Sequence, residues 1–320
     1  MSPRPCFYRF LPGHRRSVRI NANIPRLAFA IAFLRSSPVA NNMLILRHAL
    51  DALASVFFPA PCRTCGETLT NASRIPICPA CLDSFTRVTP PMCLCCGRPF
   101  VSPVTEQAIQ PLCRLCRGKQ YAFERARTFA IYDDAIGAAI QLLKYDQVMR
   151  LGDWFAARLA EVVAQGGAEM HADVVVPVPL HPSRLKERGY NQAELIARPL
   201  ARRLRLPLGT YLLVRTKPRP AQFLLTRRQR WESVRGAYAT RQGVQVDKLR
   251  ILLVDDVMTT GATLDSCSRA LLKAGAAAVI GLTVARVVSG WAVSGSPQQR
   301  AIASNEANQQ GAASILSKEG

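Results

Sequence analysis

The sequence predicts an α/β protein, a mostly parallel sheet with flanking helices, preceded by a small cysteine-rich module. Three observations carry that expectation. Eight cysteines form four C-x-x-C pairs between Cys62 and Cys116. Downstream, short apolar runs alternate with stretches of helical periodicity. One of those runs ends in two adjacent carboxylates, Asp255 and Asp256, followed by a loop of small hydroxyl residues that opens a helix.

The chain has 320 residues, which at roughly 100–200 residues per domain allows about two domains and a sizeable core. Hydrophobic residues make up 49% and charged residues 20%, a balance that fits a soluble globular protein and excludes collagen-like, wholly disordered and multi-span membrane classes. The formal charge is +21, carried by 35 Arg and 7 Lys against 21 Asp and Glu. So one-sided an arginine usage fits a GC-rich genome as well as selection by a partner. The field favours a polyanion or a phosphate-rich small molecule without choosing between them.

Residues 1–42 are arginine-rich and free of acids, with one apolar run from Leu27 to Leu34. Eight apolar residues are too few to span a bilayer, and no small-residue cleavage site follows them. The stretch is expected to be a disordered extension or one translated from a start upstream of the natural one. Met43 then opens an amphipathic stretch that reads as a first helix.

Residues 43–120 hold that helix and the cysteine module. Cys62 and Cys65 are followed after twelve residues by Cys78 and Cys81; Cys93 and Cys96 are followed after sixteen by Cys113 and Cys116. Each half offers four soft thiolates at zinc-ribbon spacing, so one or two structural Zn2+ ions are expected, with redox disulfides as the alternative. Gly66 and Gly97 follow the leading pairs, where a residue free to take positive φ lets backbone amides turn toward sulfur. Cys95 is a spare thiol or an alternative ligand; Cys6 and Cys267 read as free. Cysteines spaced for metal rather than for secreted disulfides suit a cytoplasmic protein.

From Arg125 the α/β pattern begins. Strands are expected at 127–132, 173–178, 249–254 and 277–288, and helices at 135–145, 151–164, 191–204 and 263–274. A basic loop after residue 178 carries Arg184, Lys186 and Arg188, which can face a group bearing several negative charges; a solvated basic loop is the plainer reading. Lys144 reads as a helix-end cation or a second contact to such a group. The tail 289–320 lacks periodicity and is expected to be disordered.

The stretch Ile251-Leu-Leu-Val-Asp-Asp-Val-Met-Thr-Thr-Gly-Ala-Thr263 carries the most chemistry. Ligands in open α/β sheets bind at the carboxyl ends of strands, and a helix N-terminus presents free N–H groups to an anion. Thr259, Thr260 and Thr263 add hydroxyls, Gly261 allows close approach, and Asp255 and Asp256 can accept bonds from vicinal sugar hydroxyls. The stretch resembles the phosphoribosyl pyrophosphate (PRPP) signature of type I phosphoribosyltransferases.

Together with Val176-Pro-Val-Pro-Leu-His-Pro-Ser-Arg-Leu-Lys-Glu-Arg-Gly-Tyr-Asn-Gln192, with Leu143-Lys-Tyr145 and with the cysteine module, the sequence resembles the ComF family over about Met43 to Val288. In the middle segment Arg215, Gln222, Leu225, Arg230 and Gly236-Ala-Tyr238 match that family, whereas Arg219 and Ser233 depart from it.

The resemblance implies a type I phosphoribosyltransferase-like domain over 121–288 and a role in DNA uptake and natural transformation. It implies PRPP, with Mg2+, held by Val257, Met258, Thr259, Thr260, Gly261, Ala262 and Thr263 and by Arg184, Lys186 and Arg188. Asp255 and Asp256 would be the catalytic pair if transfer occurs. Single-stranded DNA and the DNA-uptake machinery are the implied partners. An active transferase of nucleotide salvage, its acceptor base unknown, is the competing reading. A zinc-ribbon transcription regulator is the weakest, since no helix-turn-helix or similar reader is apparent.

Overall fold

The computed structural model describes residues 60–69, 75–100, 111–118, 121–218 and 227–288. The extension 1–42, the helix expected at Met43 and the tail 289–320 lie outside these residues.

The cysteine module is two knuckles of one design. In each, the leading pair sits in a tight turn closed by an antiparallel bridge, Pro61 to Thr68 in the first and Met92 to Pro99 in the second. Each trailing pair opens a short helix, α1 (Pro79–Asp83) and α2 (Arg114–Arg117), with Cys78 and Cys113 at the N-cap positions. Gly66 and Gly97 take φ of +80° and +66°, the left-handed turn expected of them.

Strand β1 (Arg125–Ile131) leads to α3 (Asp134–Tyr145), whose N-cap Asp133 accepts the Ile136 amide at 3.1 Å. Helix α4 (Arg150–Gly166) and a 3-10 turn (Gly167–Met170) return the chain to β2 (Val174–Pro177). The segment after β2, expected as a basic loop, is a helix, α5 (Pro182–Arg188). Pro182 stands at its first turn, His181 caps it, and Gly189 ends it at φ +80°. Helix α6 (Gln192–Leu204) follows, capped by Asn191.

A hairpin of β3 (Leu213–Arg215) and β4 (Tyr238–Thr240), with α7 (Arg227–Val234) between them, was not marked by periodicity; its strands are only three residues long. Strand β5 (Arg250–Met258), helix α8 (Ala262–Lys273) and strand β6 (Ala278–Arg286) complete the chain. β5 runs four residues beyond the apolar run that predicts it, because Asp255, Val257 and Met258 continue the ladder with Thr283, Ala285 and Arg286.

The main sheet has the order β1-β6-β5-β2 and is parallel throughout; β3 and β4 form a separate antiparallel pair. Both faces are covered, as the unbroken burial of β6 requires. On one face Leu252, Val254, Ile280 and Leu282 pack with α3, α4, α6 and the first knuckle. On the other Ile251, Leu253 and Val279 pack with α8, the hairpin and the second knuckle. Each knuckle thus borrows its core from one face of the sheet. No helix among the described residues is long and apolar enough to cross a membrane.

Candidate functional site

The eight paired cysteines gather into two cages, Cys62, Cys65, Cys78 and Cys81 in one and Cys93, Cys96, Cys113 and Cys116 in the other, each with its four sulfurs within 4.8 Å of one another. Zinc–sulfur bonds of about 2.3 Å at tetrahedral angles put neighbouring sulfurs about 3.8 Å apart. Cys65 and Cys78, and Cys96 and Cys113, stand 3.7 Å apart, and all eight thiols are free of disulfide bonds. The Cys78 amide donates to the Cys62 sulfur at 3.2 Å, and the Cys113 amide to the Cys93 sulfur at 3.3 Å.

The spacing and seclusion of the four sulfurs suit each cage to a structural zinc ion. Cys95 is not one of the four grouped sulfurs, although its thiol bonds that of Cys116 and its carbonyl accepts the Ala126 amide at 2.7 Å, and Cys267 is a fully buried free thiol of α8.

The carboxylates and the hydroxyl loop occupy the carboxyl end of β5. Alternation along the strand sends the two carboxylates to opposite faces: Asp255 follows Ile251 and Leu253, and Asp256 follows Leu252 and Val254. Asp256 forms an ion pair with Lys144 of α3. Burial alone would raise the Asp256 pKa, but the Lys144 ammonium holds it below the ordinary carboxylate range. Burial pushes Asp255 well above that range, and the negative Asp256 beside it adds to the effect. The arrangement favours a neutral Asp255 next to an ionised Asp256.

Beyond the strand, Gly261 takes φ +81° and stands at the N-cap of α8. The Ala262 amide points back to the Thr260 hydroxyl at 3.3 Å, and the Thr260 carbonyl accepts the Tyr121 hydroxyl at 2.8 Å. Thr259 is exposed and Thr260 and Thr263 half-buried, so their hydroxyls border solvent; Val257 is half-buried, and Met258 is buried with its side chain turned inward.

β2 pairs with β5 in register, Pro177 beside Val254, so α5 leaves the sheet at the same edge as the loop. Arg184 and Arg188, four residues apart, share a face of α5, whereas the two-residue offset turns Lys186 to the other side. Arg188 donates to Gln192 at 2.6 Å and lies over the Tyr145 ring at 4.9 Å; Arg184 lies 3.7 Å from Glu187. The three cations therefore do not converge as one cluster. Of the middle segment, residues 219–226 and the side chain of Arg230 lie outside the described residues.

Two contributors carried no signal in the sequence. Tyr121, just after the second knuckle, packs against Gly261 and stacks on Phe123 at 4.6 Å. Arg286, at the end of β6, is 3% exposed beside Met258 and the Cys96 sulfur.

A double zinc ribbon domain matches residues 53–119, and a phosphoribosyl transferase domain matches residues 191–306. The DNA utilization protein YhgH of Escherichia coli (strain K12) is 30% identical over 207 residues, which span 63% of this chain and 87% of that protein. Competence protein F of Haemophilus influenzae is 27% identical over 224 residues, 68% of this chain and 93% of that one. Competence protein ComFC of Bacillus subtilis (strain 168) is 27% identical over 210 residues, 64% of this chain and 81% of that one. Two cysteine cages, a parallel sheet with a hydroxyl loop at its carboxyl edge, and these likenesses agree: the chain belongs to the ComF family, a double zinc ribbon joined to a phosphoribosyltransferase domain.

Proposed function

We propose that this chain binds PRPP at the loop between β5 and α8 and, through that binding, supports DNA uptake or DNA utilization in the cytoplasm. The observation that carries the reading is Gly261, which takes a left-handed conformation at the start of α8, five residues beyond the second of two buried carboxylates. There the turn lets the backbone at the start of α8 present its amides to a phosphate, with the Thr260 hydroxyl that bonds the Ala262 amide beside them.

In this reading the backbone of Val257 through Thr263 and the hydroxyls of Thr259, Thr260 and Thr263 cradle the 5-phosphate. With Asp255 and Asp256 on opposite faces of β5, Asp256, once released by Lys144, accepts the ribose hydroxyls, and Asp255 stays behind it as a neutral neighbour. Arg184 and Arg188 approach the pyrophosphate from one face of α5, and Lys186 adds charge from its other side. Mg2+ would neutralise charge on the pyrophosphate. The DNA role rests on the names of the relatives, YhgH as a DNA utilization protein and ComFC and competence protein F as competence proteins. The basic surface suits contact with single-stranded DNA.

Isothermal titration with PRPP and Mg2+ tests the binding. Wild type is expected to bind and Thr263→Val, which keeps the shape but loses the hydroxyl, to bind at least about tenfold more weakly. Complementation of a deletion strain in a transformation assay then tests the role. No binding by wild type, or full complementation by a variant that no longer binds PRPP, sinks the reading. Pyrophosphate release in the presence of any nucleobase would make the protein an active transferase.

A further inference from the structure

Arg286 is a buried cation with no acid paired to it among the described residues. It ends β6, in register with Met258 of β5 and Ile131 of β1, and its side chain turns into the space between the sheet and the second knuckle. One guanidinium nitrogen donates to the Cys96 carbonyl and lies 3.2 Å from the Met258 sulfur; the other lies 3.6 Å from the Cys96 sulfur. Among the described residues no carboxylate forms an ion pair with it, and its Nε has no hydrogen-bond partner. A guanidinium stays protonated in proteins, and burying it uncompensated is costly.

The charge that meets it lies in the second cage. Cys96 is one of four cysteines in a cage that suits zinc, and four thiolates around Zn2+ leave a net charge of −2. Arg127 also approaches this cage, donating to the Leu94 and Ala126 carbonyls at 2.9 Å, but it has Glu169 at 3.8 Å as a partner. For Arg286 the cage is the one anionic group in reach among the described residues. The cation near the first cage is different in kind: Arg63 pairs with Asp146 at 3.1 Å on the surface.

The other contact of Arg286 leads to the loop. Met258 is the last residue of β5, and its methyl lies 2.7 Å from where a Cβ on Gly261 would be. A second tie runs parallel to the first. Tyr121 follows the second knuckle and donates to the Thr260 carbonyl at 2.8 Å, while the Ala122 amide donates to Asp265 of α8 at 2.7 Å. The underside of the loop therefore rests on Met258, which Arg286 ties to the second cage, and on Tyr121.

We propose that Arg286 is the counter-charge of the second zinc centre and, through Met258, a positioning residue for the loop, so that metal in that cage sets the loop's shape. That the loop's ligand is PRPP rests on the reading above; the coupling of cage to loop does not.

The full zinc-loaded chain is challenged with a chromogenic chelator while zinc release is followed, and hydrogen exchange is measured over residues 256–263. In Arg286→Met one zinc should leave about 10- to 100-fold faster than in wild type, the range for loss of an outer-shell partner, while the other keeps its rate. Exchange over 256–263 should rise in the same variant. Met258→Leu should release both ions at the wild-type rate yet still show faster exchange in the loop. Release of both ions at wild-type rates from Arg286→Met overturns the proposal. If Arg286→Met does not fold, wild type depleted until the second cage is empty, as read by exchange over residues 93–96 and 113–116, answers instead: faster exchange over 256–263 supports the coupling, and unchanged exchange overturns it. Failure of wild type to bind PRPP would remove the proposed ligand and leave these readouts intact.

Discussion

Lys144 of α3 and Asp256 of β5 form an ion pair at the carboxyl edge of the sheet, with side chains 20% and 8% exposed. Burial opposes the charge on each, but Asp256 lifts the lysine above its ordinary value and Lys144 holds the aspartate below its own. Breaking such a pair from one side leaves an uncompensated buried charge, at a cost of about 3–5 kcal/mol. Lys144→Met should lose stability of that order in urea denaturation, and Lys144→Met combined with Asp256→Leu should regain most of it. Equal losses in the single and double variants would show that the pairing contributes nothing.

The two neighbouring carboxylates should respond to pH in opposite senses. Asp255 has its folded pKa raised, so its stabilising contribution is complete below the ordinary carboxylate value and is lost as pH rises through the folded value. Asp256 has its folded pKa lowered, so its contribution is present above the ordinary value and is lost as pH falls through the depressed one. Asp255→Asn fixes the neutral form. Its melting temperature should match or exceed that of wild type and decline less toward alkaline pH. An alkaline decline equal to that of wild type would mean that Asp255 is ionised in the folded state.

This opposition could not be read from the sequence, although the residues could. Two adjacent acids after an apolar run suggest one sugar held by both, but where a strand ends is a property of its neighbours. The pairing of Met258 with Arg286 carries β5 past both acids and sends them to different faces. The cages were legible because ligand spacing is local. Helix α5 was half legible: Pro182 and Gly189 were both boundary signals, and the cations between them drew a reading as loop. Tyr121 and Arg286 were invisible, since an aromatic after a cysteine pair and an arginine at a strand end look like surface until their partners are known.

Gly261 should tolerate no side chain. Its φ of +81° costs an L-residue roughly 1–2 kcal/mol, and an added Cβ would stand 2.7 Å from both the Met258 methyl and the Tyr121 ring. Gly261→Ala should therefore lower stability and abolish PRPP binding. Thr259→Ala, at an exposed position, should change stability by no more than about 0.5 kcal/mol while weakening binding. Thermal melts and titration separate the two effects, and Gly261→Ala binding PRPP as wild type does would exclude this loop as the phosphate cradle.

The two knuckle glycines should differ although their backbones are alike. Gly66 and Gly97 both hold left-handed conformations, so alanine at either carries a similar conformational cost of about 1 kcal/mol. An added Cβ on Gly66 meets nothing within 4 Å, whereas one on Gly97 would stand 2.5 Å from the Ala126 carbonyl. That carbonyl belongs to β1, whose Ala126 amide also binds the Cys95 carbonyl at 2.7 Å, so the second knuckle could not relieve the clash without leaving the sheet. Gly97→Ala should melt several degrees below Gly66→Ala, at about 2–4 °C per kcal/mol for a chain of this size. It should also lose zinc from the second cage first, because movement of Cys96 separates its sulfur from Arg286. Melting curves with zinc content measured on the same samples check both statements. Equal melting temperatures would mean that the knuckle docks on β1 less tightly than the 2.5 Å approach requires.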